Sequence, residues 1–347
     1  MQGNAKFVKT LIEKYFFSDE FKSICGKVNR IPNFTEPFKI GLMQQVMNYV
    51  VTHCLIIKDD KNLDSTLNGI LDNFDYSEIK YDFEIENYFE KIRCETLKKQ
   101  LLEKLNMETI DQTSSQEVFD YLFENRYKFH GTNSLFSESI NESGLSIDRR
   151  LYDQEEVFDI MRIFKKYNSH DYGGLEYLDF SDKHISLADN YLTTIRYSNT
   201  SPEWFNGFCG NETFAHRQYE EAQQNVINRV QHMNPDDQQK VINFFDKHWE
   251  VFASADPVFI MIDINGLSDE DRSSYIKSHN RHFSEWDFDE FFEWANYRKT
   301  SVNEYYKEDI PKEYLTTVKT PSYVDIKNHM NNGNSYDSNN SGDKRFK

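Results

Sequence analysis

Three short segments of the sequence carry side chains that can act together on a bound ligand. The first reads Tyr-Lys-Phe-His-Gly-Thr-Asn-Ser and places His130, Gly131 and Thr132 at the end of an expected strand. An imidazole there can donate a hydrogen bond to a ligand hydroxyl, and a glycine lets backbone N–H and C=O groups approach a planar amide. Alone, this segment also fits an ordinary strand-end turn.

The second segment, residues 177–191, supplies an aromatic ring. Its pattern predicts a strand, a Ser-Asp turn, and then a helix whose inner face carries Leu187, Ala188 and Tyr191. A tyrosine in this position can stack on a planar ligand ring. The same pattern also fits a tyrosine that fills the hydrophobic core.

The third segment, residues 301–306, supplies an acid. It reads Ser-Val-Asn-Glu-Tyr-Tyr and predicts a short strand in which Glu304 is followed by two aromatic residues. A carboxylate in such surroundings costs desolvation free energy unless it has a partner or a function. An exposed glutamate on an edge strand is the other interpretation.

In this order the three segments resemble the His-Tyr-Glu pattern of the diphtheria-toxin and poly(ADP-ribose) polymerase class of ADP-ribosyltransferases. The similarity extends from about residue 119 to about residue 318, and the run Asp-Ile-Pro-Lys-Glu-Tyr-Leu at 309–315 is similar to many bacterial members. The spacings between the three residues exceed those of compact members. We therefore expect insertions at 146–172 and 201–256.

The resemblance implies that NAD binds here as the substrate. It implies that His130 bonds a ribose hydroxyl, that the backbone of Gly131, next to Thr132, holds the nicotinamide carboxamide, and that Tyr191 stacks on the nicotinamide ring. Tyr197, six residues further on, is one choice for a second aromatic wall, and Trp204 is another.

The same resemblance implies that Glu304, His130 and Tyr191 are the catalytic residues. Glu304 accepts a hydrogen bond from the ribose 2′-hydroxyl and orients the acceptor. Breaking the bond to nicotinamide passes through an oxocarbenium-like state, as glycoside hydrolysis does. A fixed carboxylate stabilises this state more than the ground state.

By resemblance the chain is a mono-ADP-ribosyltransferase that modifies a macromolecule, in the manner of a bacterial toxin or effector, and it has a regulatory or antitoxin partner. A plain NAD glycohydrolase and a catalytically silent NAD-binding module are the alternatives.

Val302 stands where arginine-modifying relatives carry the first acid of a Glu-x-Glu pair. RNA 2′-phosphate-removing relatives need several arginines, and only Arg126, Arg149 and Arg150 lie close in sequence.

Composition bears on the acceptor. The chain of 347 residues has a net charge of -18, which argues against nonspecific binding to nucleic acid or to anionic membranes. A protein acceptor is therefore favoured over nucleic acid. A local basic groove for DNA or RNA stays open, built from Arg149, Arg150, Arg162, Lys165 and Lys166.

Neither a metal site nor a membrane segment is indicated. The 4 cysteines form no Cys-x-x-Cys pair, so we expect reduced thiols and no metal. The first sixteen residues lack the apolar stretch of a secretory signal. We expect a cytoplasmic protein, which reaches a host cell only through a signal that the sequence does not show.

The hydrophobic pattern predicts an α+β fold. Residues 1–112 predict a helical region that breaks at residues 33–37 and 58–64 and has a third helix over 84–105, and 113–327 mix short strands with helices without a regular βαβ rhythm. The nearly continuous apolar run that begins at Pro257 predicts a buried strand. The resemblance implies that 113–327 form an ADP-ribosyltransferase-like split β-sandwich. Residues 328–347 are rich in Asn and Ser and predict a disordered tail.

Overall fold

The structure is a computed structural model of the 347-residue chain. It describes residues 2–77, 79–108, 117–118, 121, 127–147, 154–167, 185–188, 191–192, 194, 219–253, 257–263, 304–306 and 308–332. Helices and short antiparallel strands make up an α+β protein, as predicted. Within the described residues, none of the helices has the length and apolar character needed to span a membrane.

The first hundred residues are helical. They form α1, α2, α3, α4 and α5, with the bounds Gln2–Phe16, Asp19–Asn29, Glu36–Ile56, Leu63–Asp72 and Asp82–Leu105. The Ser18 hydroxyl accepts from the Phe21 N–H at the start of α2, and Pro37 occupies the first turn of α3. The predicted breaks near residue 33 and residue 58 are confirmed. Asn33 and Lys58, at these breaks, both adopt a left-handed backbone conformation.

Five strands follow. They are β1, β2, β3, β4 and β5, with the bounds Tyr127–Asn133, Ile185–Leu187, Pro257–Asp263, Glu304–Tyr306 and Leu315–Lys319. β3 pairs antiparallel with β1 on one side and with β5 on the other, and β2 pairs antiparallel with β4. The bridge between Phe129 and Ala188 joins the two groups. The strand order across the described residues is therefore β4, β2, β1, β3, β5.

Each face of the central strands is packed against a different apolar cluster. Phe129, Phe259 and Val318 belong to the cluster that includes the N-terminal helices, so these helices pack directly on the sheet. Ile260 and Ile262 belong to the opposite cluster, which we call the strand cluster. Its other buried members are Ile140, Leu145, Ile185, Leu187 and Ile310.

The described parts of 146–172 and 201–256, where insertions are predicted, form helices with a core of their own. Helix α6 spans Ser137–Ser143; it is followed by α7 at Gln154–Lys166, α8 at Tyr219–Val230 and α9 at Pro235–Ala253. Buried side chains of α7, α8 and α9 form one separate cluster, which includes Phe164, Val226, Phe245 and Trp249. Parts of both predicted insertions therefore meet in one helical unit.

The C-terminal boundary differs from the predicted one. Helix α10 runs from Tyr323 to Asn332, so 328–332 are helical and not part of a disordered tail. The Met330 side chain is buried, and its carbonyl accepts a hydrogen bond from Asn29 Nδ2 at 3.0 Å. The polar composition of this stretch concealed a helix that is held by α2. Residues 333–347 lie outside the described residues.

A buried polar group in the helical region gives a pH prediction. His53 of α3 is buried, with Nδ1 3.2 Å from Gln100 Oε1, and burial lowers the pKa of its imidazole from 6.5 although Asp59 and Asp60 oppose the shift. The unfolded chain therefore binds a proton that the folded chain does not. Stability is fully present above the unfolded-state pKa and falls as the pH drops below it.

We expect wild type to lose about 1 kcal/mol more stability than His53→Leu when the pH falls from about 7.5 to 5.5. Chemical denaturation at both pH values measures this difference. Burial also lowers the pKa values of His248 and His329. Wild type and His53→Leu both contain these two histidines, so their effect on stability cancels in the comparison. Equal losses in the two proteins would contradict a buried neutral His53.

Candidate active site

His130 and Glu304 occupy the same cross-strand row of the sheet. His130 pairs with Ile260 of β3, and Ile260 pairs with Thr317 of β5. On the other side, Glu304 of β4 pairs with Leu187 of β2. The remaining step, between β1 and β2, decides whether these two pairs of strands bring the histidine and the glutamate together.

The bridge between β1 and β2 sets that register. The Phe129 N–H donates to the Ala188 carbonyl and the Ala188 N–H donates to the Phe129 carbonyl, each at 2.7 Å. Because the two strands run antiparallel, one residue further along β1 lies beside one residue earlier on β2, which places Leu187 next to His130. The row therefore reads Thr317, Ile260, His130, Leu187 and Glu304. With strands about 4.8 Å apart, His130 and Glu304 are about 10 Å apart along the row.

The face on which His130 lies follows from its strand partner. Side chains of directly opposite residues lie on the same face of an antiparallel pair. Ile260, opposite His130, belongs to the strand cluster, so the half-buried His130 side chain lies on that face. At the far end of the row the Thr317 hydroxyl is 3.2 Å from Asn141 Oδ1 of α6.

The backbone of Gly131 points toward the β2 side of β1. In an antiparallel pair the N–H and C=O groups of alternate residues point to opposite sides of the strand. Phe129 directs its groups to Ala188, so Gly131, two residues on, directs its groups the same way. The described pairing of β1 with β2 is an isolated bridge, and Gly131 lies beyond it. The same antiparallel register places Ser186 of β2 beside Gly131, and the clamp on a planar amide stays a prediction.

Tyr191 is not brought to the same face. Its ring is 1% exposed and contacts Phe259 of β3, with the ring centroids 5.0 Å apart, and Phe16 of α1 at 6.3 Å. Phe259 belongs to the cluster that contains the N-terminal helices, opposite the strand cluster. Burial raises the pKa of the Tyr191 hydroxyl well above its ordinary value. In this structure Tyr191 is a core residue, and its stacking on a ligand stays a prediction.

The local structure before Tyr191 differs from the predicted helix. Leu187 lies in strand β2 and Ala188 forms the bridge to β1, where the sequence pattern predicted the inner face of a helix. The Ile-Ser-Leu alternation of β2 is only three residues long, too short to be distinguished from one turn of an amphipathic helix. Long-range pairing with β1 and β4 decides the outcome.

The segment after Glu304 is fixed by a second bridge. The Leu145 N–H donates to the Ile310 carbonyl at 3.0 Å, and the Ile310 N–H donates to the Leu145 carbonyl at 2.8 Å. The Asp309 carboxylate accepts from the Ile147 N–H at 2.8 Å. The Asp-Ile-Pro run, part of the resemblance, therefore ties the chain that follows β4 to the end of α6.

Gly144 makes this second bridge possible. It has a φ of 86°, and a Cβ on it would collide with the Ile310 carbonyl oxygen and lie 2.9 Å from the Lys312 N. We expect Gly144→Ala to lower the free energy of unfolding by about 2 kcal/mol or more, because both the backbone angle and the space oppose a side chain. Thermal or chemical denaturation measures the loss. Ser143→Ala, next to it in α6, is the control, and equal stability of the two variants would contradict this.

The remaining predicted site residues lie outside the described residues. These are Tyr197 and Trp204, the two choices for a second aromatic wall. Thr132 is described: it lies in β1 opposite Val258, one residue after Gly131. Among the described residues, no group of three or more His, Cys, Asp or Glu side chains is arranged to hold a metal ion. The sequence did not indicate Thr317, at one end of the row, or Asn141 beside it, because their positions depend on the pairing of β5.

Comparison with protein-family models, with curated proteins and with solved structures gives no match to this chain. The cross-strand row of His130 and Glu304 is therefore the observation on which a function can be argued.

Proposed function

We propose that the chain is a mono-ADP-ribosyltransferase that transfers ADP-ribose from NAD to a macromolecule. The observation that carries the proposal is the cross-strand row in which Leu187 alone separates His130 from Glu304. The two residues are far apart in sequence, and only the fold places them about 10 Å apart. This separation suits two groups that bind different parts of one ribose with its nicotinamide.

The proposed fold is that of an ADP-ribosyltransferase, with the five strands as its split sheet. Support comes from the two apolar clusters, which cover the two faces of the central strands, and from the separate pairing of β2 with β4. The helical unit of α7, α8 and α9 would be an insertion into that fold. The N-terminal helices pack on the face opposite His130.

In the proposed site each residue has one task. The backbone N–H and C=O of Gly131 pair with the carboxamide, and the His130 imidazole donates to a ribose hydroxyl. Glu304 accepts from the ribose 2′-hydroxyl, so its negative charge lies beside the carbon that becomes positive. The bond from C1′ to nicotinamide breaks and its electron pair goes to the ring nitrogen, which becomes neutral.

The second half of the proposed reaction is the transfer. An oxygen or nitrogen of the acceptor bonds to C1′ and gives up its proton to the Glu304 carboxylate or to water. Water as the acceptor would make the protein an NAD glycohydrolase. Binding without bond cleavage would make it a silent NAD-binding module. These outcomes differ in their products, so one set of incubations separates them.

The test is an incubation of the full chain with NAD labelled in its adenylate part and with a cell lysate. We expect a labelled macromolecule, and separate protease and nuclease treatments identify its class by which one releases the label. Labelled free ADP-ribose without a labelled macromolecule would identify a glycohydrolase instead. Measurable NAD binding without any product would identify the silent module.

A further inference from the structure

The helical unit of α7, α8 and α9 carries a groove that no step of the proposed transfer uses. It is an open groove between α7 and α9 with a volume of about 530 Å³. This is within the range of small-molecule sites in proteins, about 300–1,000 Å³. Ile160 and Phe244 are buried side chains that line it and provide an apolar floor.

Cationic side chains from both helices line this groove. Arg162 and Lys166 are one helical turn apart on α7, and Lys240 and Lys247 are two turns apart on α9, so each pair shares one face of its helix. Two acids, Glu156 and Asp159, also line the groove. Four cationic side chains therefore line this groove on a chain of net charge -18, and two further acids, Glu155 and Asp237, pair with Arg162 and Lys166 from outside the lining.

The ion pairs at the groove are exchangeable. Lys247 Nζ lies 2.7 Å from Glu156 Oε2, and the Arg162 guanidinium pairs with Asp159, but all these side chains are 30% exposed or more. Exposed pairs of this kind contribute little, about 0–1 kcal/mol, so a stronger anion can replace either carboxylate. Lys240 is exposed and forms no ion pair with the described residues.

One of the four cations is held in place. Lys166 Nζ lies 2.7 Å from Asp237 Oδ2, whose side chain is 10% exposed and also accepts from the Tyr167 hydroxyl at 2.8 Å. Asn234 Nδ2 donates to the same carboxylate oxygen at 2.9 Å. This network joins the end of α7 to the start of α9.

We propose that this groove binds the phosphate groups of a nucleotide, with its base on the apolar floor. Phosphates carry more charge than single carboxylates and accept from several lysine and arginine donors at once. A ring on the floor beside Phe244 uses the apolar surface that a bare anion does not need. The nucleotide is either free in solution or part of a single strand, and both present the same chemistry to the groove.

The test measures binding to the full chain without NAD, so it is independent of the proposed transfer. The probes are ATP, inorganic triphosphate and a single-stranded oligothymidylate of about twelve nucleotides. We expect ATP to bind more tightly than triphosphate, because only ATP has a base. Tighter binding of the oligonucleotide than of ATP indicates a strand, and the reverse indicates a free nucleotide.

The variant Lys240→Glu tests the location. We expect it to weaken binding of the preferred probe about tenfold, because it removes one cationic donor and adds a negative charge. Lys99→Glu, an exposed lysine of α5, makes the same change of charge elsewhere and should leave the affinity nearly unchanged. Affinity should also fall as salt is added.

Two results would overturn the proposal. One is the absence of binding of all three probes to the wild-type chain at low salt. The other is an equal loss of affinity in Lys240→Glu and Lys99→Glu, which would show that net charge alone, and not this groove, governs binding. Circular dichroism of both variants ensures that the comparison is between folded proteins, and each lysine is exposed, so both variants should fold.

Discussion

Glu304→Gln is expected to reduce transfer of ADP-ribose by about 10²–10³-fold while NAD binding is nearly unchanged. Glutamine has almost the same size as glutamate, so the pairing of Glu304 with Leu187 should be maintained. What is lost is the negative charge beside the oxocarbenium-like carbon, an interaction that is strongest in the transition state. The rate of labelling and the affinity for NAD are measured on the same protein preparation.

The matched control for Glu304→Gln is Glu308→Gln. Glu308 is an exposed acid just after β4, and the change removes one negative charge from the same stretch of chain. It should leave the rate of labelling as it is in wild type. Labelling by Glu304→Gln at the wild-type rate would remove Glu304 from the site.

Tyr191→Ala is expected to lower the free energy of unfolding by about 3–5 kcal/mol, as large-to-small changes of buried aromatic residues do. The reason is the position of the ring, which is 1% exposed between Phe16 and Phe259. Tyr191→Phe keeps the ring in place and should cost far less. Chemical denaturation of the two variants measures both values.

The resemblance also predicts that Tyr191→Ala weakens NAD binding, and Phe16→Ala is the control that separates the two effects. Phe16 is fully buried in the same cluster, and its loss should lower stability without touching a nicotinamide ring. Weaker NAD binding by Tyr191→Ala alone would support stacking, after a movement that uncovers the ring. Equal NAD affinities of the two variants would leave Tyr191 with a purely structural role.

Long elements with their own local signals were predictable from the sequence. β3 was predicted from an apolar run that begins at Pro257, because a strand buried on both faces needs no alternation. Helix α5 was predicted to within a few residues, and it ends at Leu105, just before Asn106, which adopts a left-handed backbone conformation. The assignment of His130 and Glu304 to a site came from short motifs in order and stays a prediction, to which the structure adds only their place in one cross-strand row.

The structural features that the sequence did not predict depend on contacts between residues that are distant in the sequence. Strand β2 is three residues long and exists through its pairing with β1 and β4, so Leu187 was placed in a helix. The buried position of Tyr191 depends on α1, far away in the sequence. The sequence indicated Arg162 and Lys166 as members of a possible basic groove. It did not indicate Lys240 and Lys247, which line the same groove because α9 packs on α7.

The release of nicotinamide from NAD by the purified full chain tests the proposed function most directly. Measurement of nicotinamide over time, with the cell lysate as the source of acceptor, requires no knowledge of the modified molecule. We expect wild type to release nicotinamide steadily and Glu304→Gln to release it about 10²–10³-fold more slowly. No nicotinamide release by wild type, or equal release by the two proteins, would contradict the assignment of His130 and Glu304 to an NAD-cleaving site.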